Sequence, residues 1–271
     1  MAKPKLVFWS LSDSELPAKI ELEEGIGPYK LAAIARTKGY DVEVYQANLF
    51  GCDPEKINAR TRQSICNEGV VAISILSTAE SLLGRLSVEE TFREYPVILG
   101  GPGATTTPKE YLLFLNGKNH KALIQGDGEC LFGRLLETDP SNWQEIPELW
   151  TYTSEGLIKK GKFQGLASLD DSPFAELSSS SLRKELEKMS NDNELPLEDR
   201  IEALKALLFS HFETRRGCYY NCAFCSEPQL ATKGVRQMTP KRAVLEMMFL
   251  YKTAGVTFFN FADNIAFDSQ E

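Results

Sequence analysis

The chain has 271 residues, 42% of them hydrophobic and 25% charged, which is ordinary for a soluble globular protein with room for two domains and a sizeable core. Its formal net charge is -8 and its pI about 5.1, with no Lys/Arg cluster, so neither nucleic acid nor an anionic membrane is expected as a partner. The apolar run Leu6 to Trp9 is too short for a signal core or a membrane span, so a cytoplasmic location is expected; six Cys, three of them close together, then point to a metal site rather than disulfides.

Lys5–Ser10 is a short β-rich run. Pro28–Lys38 places Leu31, Ile34 and Ala35 at helical spacing, and Gly39 suits the helix end. Asp41–Tyr45 alternates as a strand, and Pro54–Cys66 reads as a polar helix. Val70–Ile75 is a continuous apolar run, as expected of a central parallel strand buried on both faces. Then come a helix over Ala79–Glu94, a strand over Pro96–Leu99, a helix over Pro108–Leu115, a strand over Ala122–Ile124 and a helix over Cys130–Leu136. Five strand–helix units in a row predict an α/β fold, a doubly wound parallel sheet of the flavodoxin or Rossmann kind, over residues 1–145. The ligand site of such a sheet lies beyond the carboxyl ends of its strands, here Ser10–Glu15, Leu76–Glu80, Gly100–Thr107 and Gly126–Glu129.

Residues 146–206 change character and read as hairpin and linker. Leu149–Thr153 and Leu157–Lys160 flank a turn at Ser154-Glu155-Gly156, and the Ser-rich, then charged, stretch 178–200 reads as a partly helical connector with some mobility. A second strand–helix–strand unit fills residues 207–271: a strand over Leu207–Thr214, a cysteine loop, a helix from Thr239 and Pro240 to Ala254 stopped by Gly255, and an apolar strand over Val256–Phe261. Two strands and one helix cannot bury their own faces, so this unit is expected to be truncated or completed by a partner.

Cys218, Cys222 and Cys225 have the spacing C-x3-C-x2-C on the loop after a strand. Thiolates this close repel one another unless a metal neutralises them, and soft sulfur ligands select iron–sulfur clusters or zinc. A 4Fe-4S cluster on three Cys keeps one iron open, whereas a zinc knuckle would take His211 as its fourth ligand. Zinc knuckles usually come as paired Cys or Cys–His couples, and no second pair is present. Cys52, Cys66 and Cys130 sit singly and read as small buried hydrophobes.

This spacing, the aromatic Phe224 before the last Cys and the lead-in Thr214-Arg215-Arg216-Gly217 resemble the radical S-adenosylmethionine (SAM) superfamily. The resemblance implies the start of a partial TIM-type barrel, a 4Fe-4S cluster on Cys218, Cys222 and Cys225, and SAM chelated by the open iron and cleaved to a 5′-deoxyadenosyl radical. It also implies that Phe224 packs near the adenine, that Asp263 and Asn264 fall near the SAM amino group, and that a flavodoxin or ferredoxin supplies the electron.

Gly69–Ser74, Val97–Pro102 and Gln125–Glu129, followed by the linker Leu169–Phe174, resemble the cobalamin-binding type of domain that precedes the barrel in a large subclass. By that resemblance, cobalamin would be met by Gly100, Gly101, Gly103, Thr105, Gly126, Gly128 and Glu129. Glycines let backbone approach a flat ligand, and Thr105, Thr106 and Thr107, at a helix start, can bond its amides or phosphate; the same glycines also suit the sharp turns of any doubly wound sheet. The D-x-H-x-x-G signature is absent, since the only His are His120 and His211, so cobalamin is expected to bind without a protein His on cobalt. The resemblance implies methyl transfer to an unactivated carbon, or a related radical reaction, on a small-molecule substrate. A cobalamin-independent radical SAM enzyme with a substrate-binding or structural N-terminal domain is a second reading, and a non-catalytic metal-stabilised binding module a third.

Overall fold

The computed structural model describes residues 3–11, 25–47, 52–65, 69–75, 82, 83, 86, 91–114, 120–152, 155, 156, 158–230 and 234–264. Strands β1 (Lys5–Leu11), β2 (Asp41–Gln46), β3 (Gly69–Ile75), β4 (Val97–Gly100) and β5 (Lys121–Leu123) pair in parallel in the spatial order β2-β1-β3-β4-β5. The order reverses between β1 and β3, and a doubly wound sheet binds its ligand at that switch point. Both faces are buried: Phe8, Ala72 and Ile98 fall in one core, and Val7, Trp9, Val71 and Ile73 in the other. That is why the central strands read as unbroken apolar runs.

Helix α1 (Gly27–Thr37) packs Ala32 and Ala35 into the first core, and α2 (Pro54–Ser64) packs Ile57 into the second, where Trp9 Nε1 donates to Thr61 Oγ1 at 3.0 Å. Asp53 caps α2 by accepting from Glu55 N at 3.0 Å. Of the helix expected over Ala79–Glu94, Thr91–Glu94 forms a helical turn, and much of the rest lies outside the described residues. After β4 a short helix absent from the sequence reading intervenes, α3 (Gly101–Thr106), followed by α4 (Pro108–Phe114). Helix α5 (Phe132–Glu137) follows β5 after one turn of 3-10 helix.

The hairpin read between Leu149 and Lys160 extends this same sheet. Strand β6 (Trp150–Tyr152) pairs antiparallel with β5, and β7 (Ile158–Lys159) pairs with β6, making seven strands. It covers an edge that β5 would otherwise expose. The connector over 178–200 is also more built than its composition suggests. Helices α6 (Ser181–Asn191) and α7 (Leu197–Leu208) pack through Leu182, Leu186 and Ala203. Ser181 Oγ donates to Val44 O on β2, and Arg183 donates to Leu207 O and Phe209 O, both at 2.7 Å. Because α7 runs to Leu208, the next strand, β8 (Phe209–Phe212), starts two residues later than expected.

Strand β8 leads into β9 (Arg215–Arg216) and the cysteine loop; β9 pairs antiparallel with β10 (Arg236–Gln237). Helix α8 (Pro240–Ala254) begins at a Thr239 cap, ends at left-handed Gly255, and delivers β11 (Phe258–Phe261) parallel to β8. Phe258 and Phe261 on β11, and Val244, Leu245, Met248 and Tyr251 on α8, are exposed. Among the described residues no helix is long and apolar enough to cross a membrane.

Candidate functional site

A cavity of about 390 Å³ opens at the carboxyl edge of the sheet, beside the switch point. Its floor is sheet: Phe8, Ala72 and Ile98, then Ser10, Ser74 and Gly100 at the strand ends. Gly100 is extended, with φ -164°, and a Cβ built there would meet open space. Gly101 and Gly126 differ in kind. Both have positive φ, and a Cβ would sit 2.7 Å from Ile75 N in the first and 2.0 Å from Gln164 O in the second. They are glycine because the protein packs against them. Gly128 lies under the Leu31 side chain, and Gly103 is buried within α3.

The threonines expected at a helix start lie where one helix ends and the next begins, with Thr107 O accepting from Tyr111 N of α4 at 3.2 Å. Thr105 and Thr106 end α3; the Thr105 hydroxyl donates to Gly101 O and accepts from Gly126 N, and the Thr106 hydroxyl donates to Gly103 O. Their hydroxyls thus serve the local backbone, although Thr105 still lines the cavity. The edge segments 12–15 and 76–80 lie outside the described residues.

The opposite wall comes from the second unit: Glu213, Arg215, Arg216, Gly217, Glu227, Leu230, Ala262 and Asn264. The two walls are tied by charge. Arg216 donates to Asp127 at 2.7 Å, Glu129 at 3.0 Å and Glu213 at 2.8 Å; Arg236 also pairs with Asp127, and Lys30 with Glu213 at 3.3 Å. Burial would raise the Glu213 pKa, but the bond and charge of Arg216, with Lys30 behind them, pull it down to about 2. Burial alone would lower that of Arg216, yet the carboxylates of Glu129, Glu213 and Asp127 hold it well above its ordinary value. Glu129, assigned by resemblance to the ligand, thus spends its carboxylate on Arg216 and on Ser172 Oγ at 3.0 Å while lining the cavity.

On the cysteine loop, Cys218 and Cys225 are half-buried and Cys222 is exposed. Tyr220 N donates to Cys218 Sγ and Glu227 N to Cys225 Sγ, each at 3.4 Å. Backbone N–H groups aimed at sulfur are among the contacts that tune iron–sulfur centres, so the donor set fits such a cluster. Among the described residues no three metal-ligating side chains are yet drawn together. Phe224 is 92% exposed, its ring free to take a planar partner. Asp263 accepts from Thr214 N at 2.7 Å, Arg215 N at 2.8 Å and Thr214 Oγ1, so its carboxylate fixes the strand exit that leads into the loop. Asn264 beside it lines the cavity. His211 lies on β8 with its ring against Phe209 and its Nδ1 facing Asn260. Cys52 is buried as expected, Cys130 is instead exposed on the turn before α5, and Cys66 lies outside the described residues.

No protein family and no curated protein matches the chain. Solved structures do. The radical S-adenosylmethionine methyltransferase TsrM from Kitasatospora setae, with cobalamin and a 4Fe-4S cluster bound, superposes with a TM-score of 0.65 at 16% identity, over 97% of this chain and 48% of its own. The cobalamin-dependent S-adenosylmethionine radical enzyme OxsB, with aqua-cobalamin and S-adenosylmethionine bound, does so with a TM-score of 0.66 at 14% identity, over 97% of this chain and 34% of its own. The chain has the fold of the cobalamin-dependent radical SAM enzymes. It spans less than half the length of either match.

Within this cobalamin-dependent radical SAM fold, the cavity lies where the sheet and the cysteine-loop flank face each other. Two of its polar groups had no individual role assigned from the sequence. Gln46 Nε2 and Arg215 Nη1 are buried donors with no hydrogen-bond partner among the described residues, and both residues line the cavity. The available signal was a polar residue at or near the end of three neighbouring strands: Gln46, Ser10 and Ser74.

Proposed function

We propose that the chain forms the corrinoid- and cluster-binding portion of a cobalamin-dependent radical SAM enzyme acting on a small-molecule substrate by methyl transfer to an unactivated carbon or a related radical reaction. The observation that carries this reading is the shared cavity, walled on one side by the strand ends of the sheet and on the other by Arg215, Arg216 and Gly217 leading into the cysteine loop. Cys218, Cys222 and Cys225 would hold a 4Fe-4S cluster, which supplies the electron for reductive cleavage of SAM to a 5′-deoxyadenosyl radical. The chain's own contributions are positional. Asp263 holds Thr214 and Arg215 in place ahead of the loop, and the N–H groups of Tyr220 and Glu227 face two of the sulfurs. Phe224 offers an exposed ring for adenine. Phe8, Ala72 and Ile98 give an apolar floor, and Gly100 keeps it free of side chain. The electron would come from a flavodoxin- or ferredoxin-type donor.

The test is anaerobic reconstitution of the full chain with iron, sulfide and hydroxocobalamin, followed by desalting, metal analysis, and assay of 5′-deoxyadenosine after adding dithionite and SAM. Near-stoichiometric iron and cobalt with SAM cleavage are expected. Iron and cleavage without cobalt would favour the cobalamin-independent enzyme, and zinc without cleavage the non-catalytic module. Cys218→Ala, Cys222→Ala and Cys225→Ala should each lose the cluster, because a thiolate ligand is gone. Any one of them keeping full iron content would sink that ligand assignment.

A further inference from the structure

Among the described residues, the carboxyl edge of the sheet carries a buried side chain, Gln46, part of whose hydrogen-bonding capacity the fold leaves unused. Gln46 ends β2 and pairs with Ser10 of β1; Ser10 pairs with Ser74 of β3, and Ser74 with Gly100 of β4. In a parallel sheet, residues in register point to the same face. This row therefore stands two residues beyond the row Val44, Phe8, Ala72 and Ile98, which is buried in the first core. The sheet surface thus passes from apolar to polar as it enters the cavity, which all four edge residues line. Gln46 is only 7% exposed, yet its Nε2 has no partner. A buried donor left unpaired is a cost that an apolar side chain of similar size would avoid. Among the described residues no hydrogen bond offsets it. On the wall that leads into the cysteine loop, Arg215 Nη1 is unpaired in the same way.

We propose that Gln46 is a specificity-determining residue of the cavity, donating from Nε2 to a carbonyl oxygen on the rim of a bound corrinoid. This rests on the corrinoid reading given above. The ligand class follows from the surface: a flat macrocycle covers the apolar floor, while its rim of amide groups brings an acceptor to the polar row at the strand ends. A flat ligand without oxygen on its rim would leave Nε2 unpaired.

The experiment uses the full chain and hydroxocobalamin, with the dissociation constant taken from equilibrium dialysis and the melting midpoint measured without ligand. Gln46→Leu should bind roughly 5- to 20-fold more weakly, since the ligand loses one buried hydrogen bond. Its ligand-free melting midpoint should match or exceed that of the wild type, because an unpaired donor has been removed. Gln46→Met, unbranched like Gln, repeats the test should Leu not fit. A purely structural Gln46 would show the reverse pattern: lower melting and unchanged affinity. If the wild type binds and both variants bind equally well, this inference alone falls. If the wild type retains no corrinoid, the corrinoid reading falls and takes the inference with it.

Discussion

Replacing Arg216 with Met is expected to lower the melting midpoint of the ligand-free chain by roughly 10 °C at pH 7. The guanidinium sits among Asp127, Glu129 and Glu213, all largely buried, and it joins the loop after β5 to the segment that enters the cysteine loop. Removing one partner of a buried ion pair costs about 3–5 kcal/mol, chiefly because the remaining charges lose their compensation. Here Arg236 still pairs with Asp127 and Lys30 with Glu213, which places the loss at the lower end of that range. The pH dependence tests the cause. In the wild type, Glu213 is held near pKa 2, well below its ordinary value, so its contribution is present above about pH 4.5 and fades only as the pH falls toward 2. In the variant, burial acts on Glu213 with less opposition, and its carboxyl titrates higher. Protonation then relieves the repulsion. Between pH 7 and 4.5 the variant should therefore gain stability relative to the wild type, and the gap in melting midpoint should narrow. A gap that stays constant over that range would show that the carboxylates are not coupled to Arg216. Arg216→Lys should fall between the two, since an ammonium keeps the charge but not the fork that reaches three carboxylates.

The parallel sheet was legible in the sequence because its determinants are local. A run such as Val70–Ile75, apolar at nearly every position, has few other uses than a strand covered on both faces. The cysteine motif is local in the same way: three Cys within one short loop form a proposed ligand set that needs no knowledge of what surrounds it. What stayed hidden depends on partners far along the chain. Asp127 and Glu129 look like part of a ligand loop until Arg216 and Arg236 arrive from 87 to 109 residues away. Asp263 looks like a ligand for a cofactor amine until Thr214 and Arg215 are seen to occupy its carboxylate. The segment 178–200 reads as a partly helical connector because most of its residues are polar, yet its Leu182 and Leu186 pack against Ala203 just beyond it, with Met189, Ala206 and Leu207 around them, and join the two helices. Gln46 stands out in the sequence only as a polar residue at a strand end, since an unpaired donor is defined by what fails to approach it.

The glycines of the two strand-end loops make the same point in a form that experiment can separate. Gly126→Ala should lower the melting midpoint by about 10 °C or more, as befits a loss of at least ~3 kcal/mol. Its φ of +96° is disfavoured for any side chain, and the new Cβ would fall 2.0 Å from the Gln164 carbonyl oxygen. That carbonyl accepts from Asp127 N at 2.8 Å, and Gln164 N donates to Gln125 O at 2.7 Å, so neither the 125–127 loop nor the segment at Gln164 can retreat without breaking both bonds. Retreat would also move Asp127 away from Arg216 and Arg236, spreading the damage into the charge network that joins the two walls of the cavity. Gly100→Ala should behave in the opposite way. Its backbone is extended, its Cβ would meet nothing within 4 Å, and the methyl would enter the cavity, so the midpoint should stay within about 2 °C while hydroxocobalamin binding weakens by roughly tenfold. A stable Gly126→Ala would mean that Gln164 does not press on the loop. A Gly100→Ala that melts normally and binds corrinoid as tightly as the wild type would mean that the ligand does not lie on the open face of β4.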